Sequence, residues 1–468
     1  MVFSSAIFLF IFLPIVLIAH SLVKNIKARN GLLIIASLVF YAFGEPIYIV
    51  MLLASVLFNY IMGLVLVKHR KKWVLGLAVV ANLALLVVFK YTGFIIETFN
   101  RVMGTDFLAP NIVMPIGISF FTFQAISYIV DLYRGKVEGK TTFFQVLLYI
   151  SLFPQLIAGP IVQYRTVAEH IRYRDVTVDK FSKGVCRFIV GLSKKMLISN
   201  SMGFGADKIF GMAVSGIDAP MAWLGAVCYT LQIYFDFSGY SDMAVGIGWM
   251  LGFDFPENFN YPYVGVGIRD FWRRWHMSLT GWFREYLYIP LGGNRKGKAR
   301  QIFNSMVVFL CTGIWHGANM TFVVWGFFHG VLISIETLLH KKDRKTPKAL
   351  KGFIWLYTML AVIVGFVIFR ADTLGYGIEY IGKMFTGGSQ KASMVTTMSL
   401  LTPSFITTLL IGIVAACPVI PFIKKKAEGK KIYKGLCVAG YAATLVLYLL
   451  CVMSLASDSY NPFIYFRF

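Results

Sequence analysis

Long runs of apolar residues recur along this chain, and clusters of lysine and arginine separate several of them. Residues 2–23, 47–67 and 73–89 are runs of this kind. Each is close to the length of about 20 residues that a helix needs to cross the hydrocarbon core of a bilayer. Because lipid offers the backbone no hydrogen-bond partners, segments that span it must satisfy their own polar groups. The runs therefore predict an all-α, polytopic membrane protein.

The composition agrees with this class and excludes others. Hydrophobic residues make up 57% of the chain, the mean hydropathy is +0.69, and only 14% of the residues are charged. Soluble domains carry about a quarter charged residues. The net charge of +23 comes largely from cations at the ends of apolar runs, where cytoplasmic loops and anionic head groups meet. A basic, soluble face for nucleic acid is not visible, so we expect membrane lipids as partners and no nucleic acid.

The basic clusters also predict the orientation of the chain. They lie at residues 68–72, 341–351 and 424–431, and the positive-inside rule places such clusters in the cytoplasm. Both termini are then expected outside the cytoplasm, with about ten or eleven spans between them. No polar linker is long enough to divide the chain, so residues 1–468 are expected to form a single membrane domain.

Two regions interrupt the regular pattern. Residues 143–164 contain Pro154 and the tripeptide Ala-Gly-Pro at 158–160, which predicts broken or re-entrant helices beside protein or a water-filled cavity. Residues from about 255 to 300 are too polar to span and mix aromatic side chains with arginine. This second region is predicted to form interfacial helices on the cytoplasmic side.

Histidine residues in apolar surroundings are the main candidates for chemistry. His316 follows an apolar run and lies between Trp315 and Gly317. A polar residue inside the membrane is costly and often functional, and imidazole exchanges protons near neutral pH. We interpret His316 as a base that takes the proton of an acceptor hydroxyl while the oxygen attacks a thioester carbonyl. The alternative is a histidine that is satisfied by a neighbouring carbonyl group.

His276 is the second candidate, in the sequence Trp-Arg-Arg-Trp-His that ends at this residue. The charges of Arg273 and Arg274 disfavour a protonated imidazole, so a neutral ring that orients or hydrogen-bonds a substrate is expected. Packing at the membrane interface is the alternative role. His329 would point roughly 140° away from His316 on one continuous helix, which favours a structural role.

Other polar side chains suggest pairing or donor binding. Asp236 and Asp242 lie in an apolar stretch and are expected to pair with arginines of the Trp-Arg-Arg-Trp-His segment. Arg295 and Lys296 follow two glycines and could bind the phosphates of a nucleotide-containing donor, although a solvated loop would have the same composition. The six cysteines show no Cys-x-x-Cys spacing, so neither a disulfide framework nor a metal site is expected.

Five segments together resemble the membrane-bound O-acyltransferase superfamily, and within it the bacterial alginate O-acetyltransferase branch. They are FWRRWHMSLTGWFREYLYIPLGGNR (271–295), GIWHGANMTFVVWGFFHG (313–330), MPIGISFFTFQAISYIVDLYRG (114–135), FPQLIAGPIVQYR (153–165) and LQIYFDFSGYSDMAVGIG (231–248). The LGGNR sequence and the FRAD sequence at 369–372 favour this branch over the proteins that transfer D-alanine to teichoic acids.

The resemblance implies a fold and an activity. The fold is a curved wall of helices around a central funnel, with re-entrant and interfacial helices. His316 would be the catalytic residue and His276 would line the same tunnel. Arg273, Arg274, Arg295 and Lys296 are the candidates for binding the donor. The donor would be acetyl-CoA used as a substrate, with no bound cofactor and no metal.

The resemblance also implies partners and a location. The protein would lie in the cell (inner) membrane and pass an acyl group outward to a polysaccharide, with an extracellular SGNH-type acyltransferase or an accessory protein as partner. D-alanyl transfer from a carrier protein and O-acylation of peptidoglycan are alternatives, and a membrane transporter is a third. The aromatic tail at 460–468 is expected to anchor at the interface or to help pass the acyl group to the outer partner.

Overall fold

A computed structural model of the chain describes residues 1–137, 141–339, 347–388 and 391–457, together with Tyr460 and Ile464. Within these ranges every regular element is a helix, which confirms the all-α prediction. Most of the predicted basic cluster at 341–351, and all of the aromatic tail except Tyr460 and Ile464, lie outside the described residues.

The helices fall into two compact units. The first consists of Met1–Phe188 and Tyr240–Glu257, and the second of Ile189–Gly239 and Asn258–Phe468. Helices α1 to α10 begin in the first unit: α1 Leu13–Leu22, α2 Ile26–Gly44, α3 Ile49–His69, α4 Lys72–Lys90, α5 Thr92–Met103, α6 Ile118–Tyr133, α7 Phe143–Ser151, α8 Phe153–Leu156, α9 Tyr164–Arg172 and α10 Val178–Ser193.

The remaining α-helices follow in chain order. They are α11 Asn200–Phe210, α12 Ala219–Leu251, α13 Ile268–Trp272, α14 Met277–Phe283, α15 Gly297–His316, α16 Met320–Leu339, α17 Lys348–Arg370, α18 Leu374–Thr386, α19 Lys391–Leu400, α20 Pro403–Ala415, α21 Val419–Ala427 and α22 Ile432–Ala456. Short π-helical turns at Phe8–Phe12, Lys194–Ser199 and Arg284–Tyr288 and 3₁₀ turns at Val214–Gly216 and Pro262–Val264 complete the set.

Six helices in the described ranges are long and apolar enough to cross a membrane: α2, α3, α4, α16, α17 and α22. The bent pair α19 and α20 makes a seventh if it counts as one span. Two shorter apolar helices, at Phe8–Leu22 and Ile118–Tyr133, fall below this length. The chain is therefore a multi-pass membrane protein, while the ten or eleven spans expected from the sequence remain a prediction.

Helix α6 forms the centre of the first unit and is buried along almost its whole length. It packs against α3, α4 and α9. Gly63 of α3 allows a close approach, since a methyl group there would lie 2.9 Å from Tyr128 Oη and from Leu132 Cδ1. Between α3 and α4, Asn59 and Asn82 exchange two buried amide hydrogen bonds of 3.0 and 2.8 Å. Hydrogen bonds of this kind join helices where no water is available.

Both interruptions predicted from the sequence are present. Helix α7 ends at Ser151 after nine residues, and the four-residue α8 follows it, which confirms the broken helix around Pro154. Only short helical turns occur between the end of α12 and the start of α15. This second stretch belongs largely to the second unit, where it carries His276.

Candidate active site

His316 is the last residue of α15, and Gly317 ends the helix with an extended backbone. A methyl group at Gly317 would lie 2.1 Å from the Phe322 ring. Only glycine fits where the chain turns from α15 into α16, so the local sequence fixes His316 at the end of its helix. The side chain is 8% exposed.

Aromatic rings surround His316. Its ring centroid lies 5.0 Å from Trp315, 5.3 Å from Trp325 and 5.0 Å from Phe369. The contacts with Trp325 and Phe369 are edge-to-face, at 89° and 82°. Such geometry is favourable for aromatic pairs and restrains the orientation of the imidazole. The surrounding rings also replace water with apolar surface.

His276 is held in an unusual backbone conformation. Its φ and ψ angles are 45° and 52°, in the left-handed region that residues other than glycine rarely adopt. Two backbone hydrogen bonds hold the segment: Asn260 N donates to Arg274 O at 2.9 Å, and Met277 N donates to Asn258 O at 2.8 Å. Strained backbone is retained where the surroundings impose it, often at functional sites.

The amide of Asn258 determines which tautomer His276 adopts. Asn258 Oδ1 accepts hydrogen bonds from Ser278 N at 3.2 Å and from Ser278 Oγ at 2.9 Å. Because a backbone N–H can only donate, this atom must be the amide oxygen. His276 Nδ1, 3.2 Å from the same oxygen, therefore carries a hydrogen. Nε2 is left with a free lone pair and has no hydrogen-bond partner among the described residues.

The His276 ring is neutral because it is buried. Its side chain is 2% exposed, and burial lowers the pKa of the imidazole to about 3. The sequence predicted a neutral ring for another reason, the charges of Arg273 and Arg274. Arg273 is exposed, and Arg274 Nε donates to Asp270 Oδ2 at 3.2 Å. Desolvation is therefore the dominant cause.

The structure brings the two candidate histidines to the same indole. Trp315 lies 5.0 Å from His316 and 6.2 Å from His276, measured between ring centroids. Phe237 and Phe259 contact His276 from other directions, at 5.8 and 6.2 Å. The two imidazoles therefore share one aromatic neighbour in a buried setting.

Helices α16 and α17 anchor the segment that carries His276. Glu336 of α16 accepts hydrogen bonds from Ile268 N at 2.5 Å and Arg269 N at 3.0 Å, and so caps the start of α13. Thr358 of α17 accepts from Gly267 N at 2.9 Å. Neither Glu336 nor Asn258 was identified from the sequence. Glu336 is the one acidic residue in the apolar run of α16, and that isolation is a signal that could have found it.

His329 lies in α16, the helix that follows the one ending at His316. The helix break that a shared role would require does occur, at Gly317. The His329 ring lies 5.0 Å from Trp325 and 5.1 Å from Trp272. A methyl group at Gly365 would lie 2.8 Å from its Nε2 atom. These contacts fit the packing role predicted for His329.

The two buried aspartates pair with cations other than the predicted ones. Asp236 Oδ1 lies 2.6 Å from Lys195 Nζ, and its Oδ2 accepts from Ile464 N at 2.9 Å. Asp242 accepts from Arg187 Nε at 2.7 Å in the first unit. The pairing with Arg273 or Arg274 predicted from the sequence is therefore not the one observed, because closer cations occupy both carboxylates.

Arg295 and Lys296 lie far from the two histidines along α15. Both are exposed in a turn where Gly292, Gly293 and Gly297 have φ angles of 107°, 57° and 86°. The 20 residues of α15 separate this turn from His316 by about 30 Å at 1.5 Å per residue. These cations can reach only the far end of a long donor. In the described ranges no group of His, Cys, Asp and Glu could hold a metal ion.

Comparison with known proteins gives the relatives of this chain. The sequence profile described as "MBOAT, membrane-bound O-acyltransferase family" matches residues 138–369. A protein named probable alginate O-acetylase in Pseudomonas putida is 38% identical over 100% of both chains. Its namesake in Pseudomonas aeruginosa is 41% identical over 86% of this chain and 78% of its own length. The peptidoglycan O-acetyltransferase of Helicobacter pylori is 35% identical over 82% of this chain and 80% of its own.

Proposed function

The chain belongs to the membrane-bound O-acyltransferase family, in its alginate O-acetyltransferase branch, and we propose that it moves an acetyl group from a cytoplasmic thioester to a polysaccharide outside the membrane. The observation that carries the proposal is the buried pair of His276 and His316 around Trp315. Alginate or a similar glycan is the proposed acceptor, since two relatives that match over the full length of both chains are named for alginate. Peptidoglycan is the second candidate.

In the proposed reaction His316 is the general base. An imidazole nitrogen takes the proton of the acceptor hydroxyl, and the oxygen forms a bond to the thioester carbonyl carbon. The carbon–sulfur bond then breaks, and the imidazolium returns its proton to the thiolate. The position of His316 at the C-terminus of α15 supports this role, because the helix dipole stabilises the positive charge that the ring carries between the two steps.

His276 assists as a hydrogen-bond acceptor. Since Nδ1 donates to Asn258, the free Nε2 lone pair can orient an O–H or N–H group of either substrate. In this tautomer Nε2 cannot donate to the oxyanion of the tetrahedral intermediate. The two histidines thus have separate roles, with proton transfer at His316 and positioning at His276.

Acetyl-CoA is the proposed donor, and it would enter from the cytoplasmic side. Arg273, Arg295 and Lys296 are exposed cations suited to its phosphates, and Arg274 could join them if it exchanged Asp270 for phosphate. The acceptor polymer is too large to enter a buried site. The hydroxyl that attacks there is therefore proposed to belong to the partner, an extracellular SGNH-type transferase or an accessory protein, which then passes the acetyl group to the polymer. The inner membrane is the proposed location.

Substitution of the histidines tests this function. In cells that make the polysaccharide, His316→Ala should lower its acetyl content by about 10³-fold, the middle of the range for loss of a general base. His276→Ala should lower it by roughly tenfold to a hundredfold, the cost of one strong hydrogen bond. His69→Ala, at an exposed helix end, is the matched control and should be silent. Wild-type acetylation by a stably inserted His316→Ala protein would overturn the mechanism.

A further inference from the structure

A cavity of about 500 Å³ lies in the first unit, between α9, α10 and the end of α12. Its lining includes His170, Arg172, Arg174 and Lys180. This size is within the range of about 300–1,000 Å³ that small-molecule sites occupy. None of these residues belongs to the histidine site of the second unit, so the cavity needs its own explanation.

Arg174 is the unusual member of this lining, since it is a buried cation without an anion. Its side chain is 4% exposed. Nε donates to Leu251 O at 3.1 Å, and Nη1 donates to Asn30 Oδ1 at 2.6 Å and to His170 O at 3.0 Å. All three acceptors are neutral. Nη2 is buried and has no hydrogen-bond partner among the described residues.

A buried guanidinium without a carboxylate is unfavourable, because desolvation is not offset by an opposite charge. Burial first, and the charge of Arg29 second, lower the pKa of Arg174 to about 10. The group therefore stays protonated at neutral pH. The guanidinium carbon Cζ of Arg174 lies 4.6 Å from the centroid of the Phe253 ring. The face of this ring attracts a cation but supplies no net negative charge.

Two neighbouring acids have partners other than Arg174. Asp254 lies 2.8 Å from Lys180 Nζ and 3.0 Å from His170 Nε2. Asp175 accepts a hydrogen bond from the Tyr173 hydroxyl. Among the described residues no carboxylate comes within ion-pair distance of Arg174. Glu169 and Asp175 also line the cavity, but both are exposed. The Nη2 donor of Arg174, in contrast, is buried and unused.

We propose that this cavity binds a phosphate group, with Arg174 Nη2 as the donor at its base and Arg172 at its rim. Arginine is well suited to this task because its planar fork matches phosphate oxygens. The phosphate can come from the head group of an anionic phospholipid or from a soluble nucleotide. The exposed Tyr173 and Val178 beside the cavity would suit either an acyl chain or a purine ring.

Binding measurements on the full-length protein test the site and distinguish the two sources. Wild-type protein in nanodiscs of neutral phosphatidylcholine is titrated with coenzyme A, and detergent-solubilised protein is titrated with phosphatidylglycerol and followed by native mass spectrometry. Arg174→Gln should weaken the binding of one of these two ligands by about tenfold or more, the loss expected for a hydrogen bond to a charged group. Loss of phosphatidylglycerol binding identifies a lipid site, and loss of coenzyme A binding identifies a nucleotide site.

A second pair of variants guards against misfolding of Arg174→Gln. Arg172→Glu reverses the charge at the cavity rim on the exposed end of α9, whereas Arg165→Glu does so near the other end of the same helix and outside the lining. Arg172→Glu should weaken binding of the same ligand that Arg174→Gln affects, and Arg165→Glu should not. If both reversals act alike, or if neither probe distinguishes wild type from the variants, the site does not exist. Because the readout is binding, the result does not depend on acetyl transfer.

Discussion

At the scale of single residues, Asn258 sets the tautomer of His276. The amide oxygen accepts from Ser278 and from His276 Nδ1, so it fixes the tautomer as outer partners of functional histidines commonly do. None of these hydrogen bonds requires a charged acceptor at position 258. A carboxylate at the same position would keep the hydrogen bonds but would favour the imidazolium form.

Asn258→Asp should therefore give His276 a pH dependence that the wild type lacks. Burial holds the pKa of the wild-type ring at about 3, so Nε2 stays unprotonated at any working pH. The carboxylate raises that pKa, and below the new value Nε2 binds a proton and no longer accepts. Activity should be near normal at pH 8 and fall by about tenfold per pH unit below the new pKa. Thioester cleavage by protein in proteoliposomes, measured from pH 5 to 8, checks this.

Asn260→Asp is the matched control, because it adds the same charge two residues away on an exposed side chain. Its pH profile should superimpose on that of the wild type. If Asn258→Asp shows no new acidic limb, Asn258 does not set the protonation of His276.

The sequence predicted His316 and His276 as candidates for catalysis, which stays a prediction, but it missed the residues that position them. His316 was recognisable because Trp315 and Gly317 adjoin it and its surroundings are apolar. Asn258 is 18 residues from His276, and Glu336 is 68 residues from Ile268. Only the folded chain brings these partners together, and the left-handed backbone of His276 likewise results from tertiary contacts that no local pattern encodes.

At the scale of elements, the helical hairpin of α15 and α16 determines where His316 lies. Gly313 and Gly326 face each other, with 3.2 Å between the position of a methyl group at one and the Cα atom of the other. Small residues allow helix backbones to approach closely in membranes. The apolar run predicted α16, but this close contact depends on which faces of two helices meet, and periodicity alone did not specify it.

Gly326→Ala should separate the two helices. The added methyl group would lie 2.4 Å from Phe309 O, a backbone atom that cannot rotate away. We expect a loss of about 1–3 kcal/mol in the free energy of unfolding, as for other overpacked sites, together with reduced acetylation because His316 moves. Thermal unfolding in detergent measures the first effect, and polysaccharide acetylation the second.

Gly352→Ala in α17 is the control, since a methyl group there meets no atom within 4 Å. Alanine is the better helix former by about 1 kcal/mol, so this variant should be as stable as the wild type or more so. Equal stability of the Gly326→Ala protein would show that the hairpin does not depend on the glycine contact.

At the scale of the whole molecule, clusters of basic residues coincide with the places where one helix ends and the next begins. Helix α3 ends at His69 and α4 begins at Lys72, within the first basic cluster. Helix α21 ends in Lys424, Lys425 and Lys426, and α22 begins at Ile432. Both of these clusters thus lie where one helix ends and the next begins. The sequence predicted these turns because lipid excludes charge, whereas the number of spans depends on helices too short or too polar to be judged by hydropathy.

The positive-inside rule then gives a testable orientation, with the basic turns in the cytoplasm and both termini outside. In a variant whose six cysteines are replaced by alanine, Lys426→Cys should react with a membrane-impermeant maleimide only after the cells are permeabilised. Asp372→Cys, which follows the far end of α17 and is 93% exposed, should react in intact cells. Labelling of Lys426→Cys from outside would show that the chain has the opposite orientation. It would also place the exposed cations Arg295 and Lys296 on the outer face, where no cytoplasmic thioester could reach them, so the same experiment tests the proposed route of the donor.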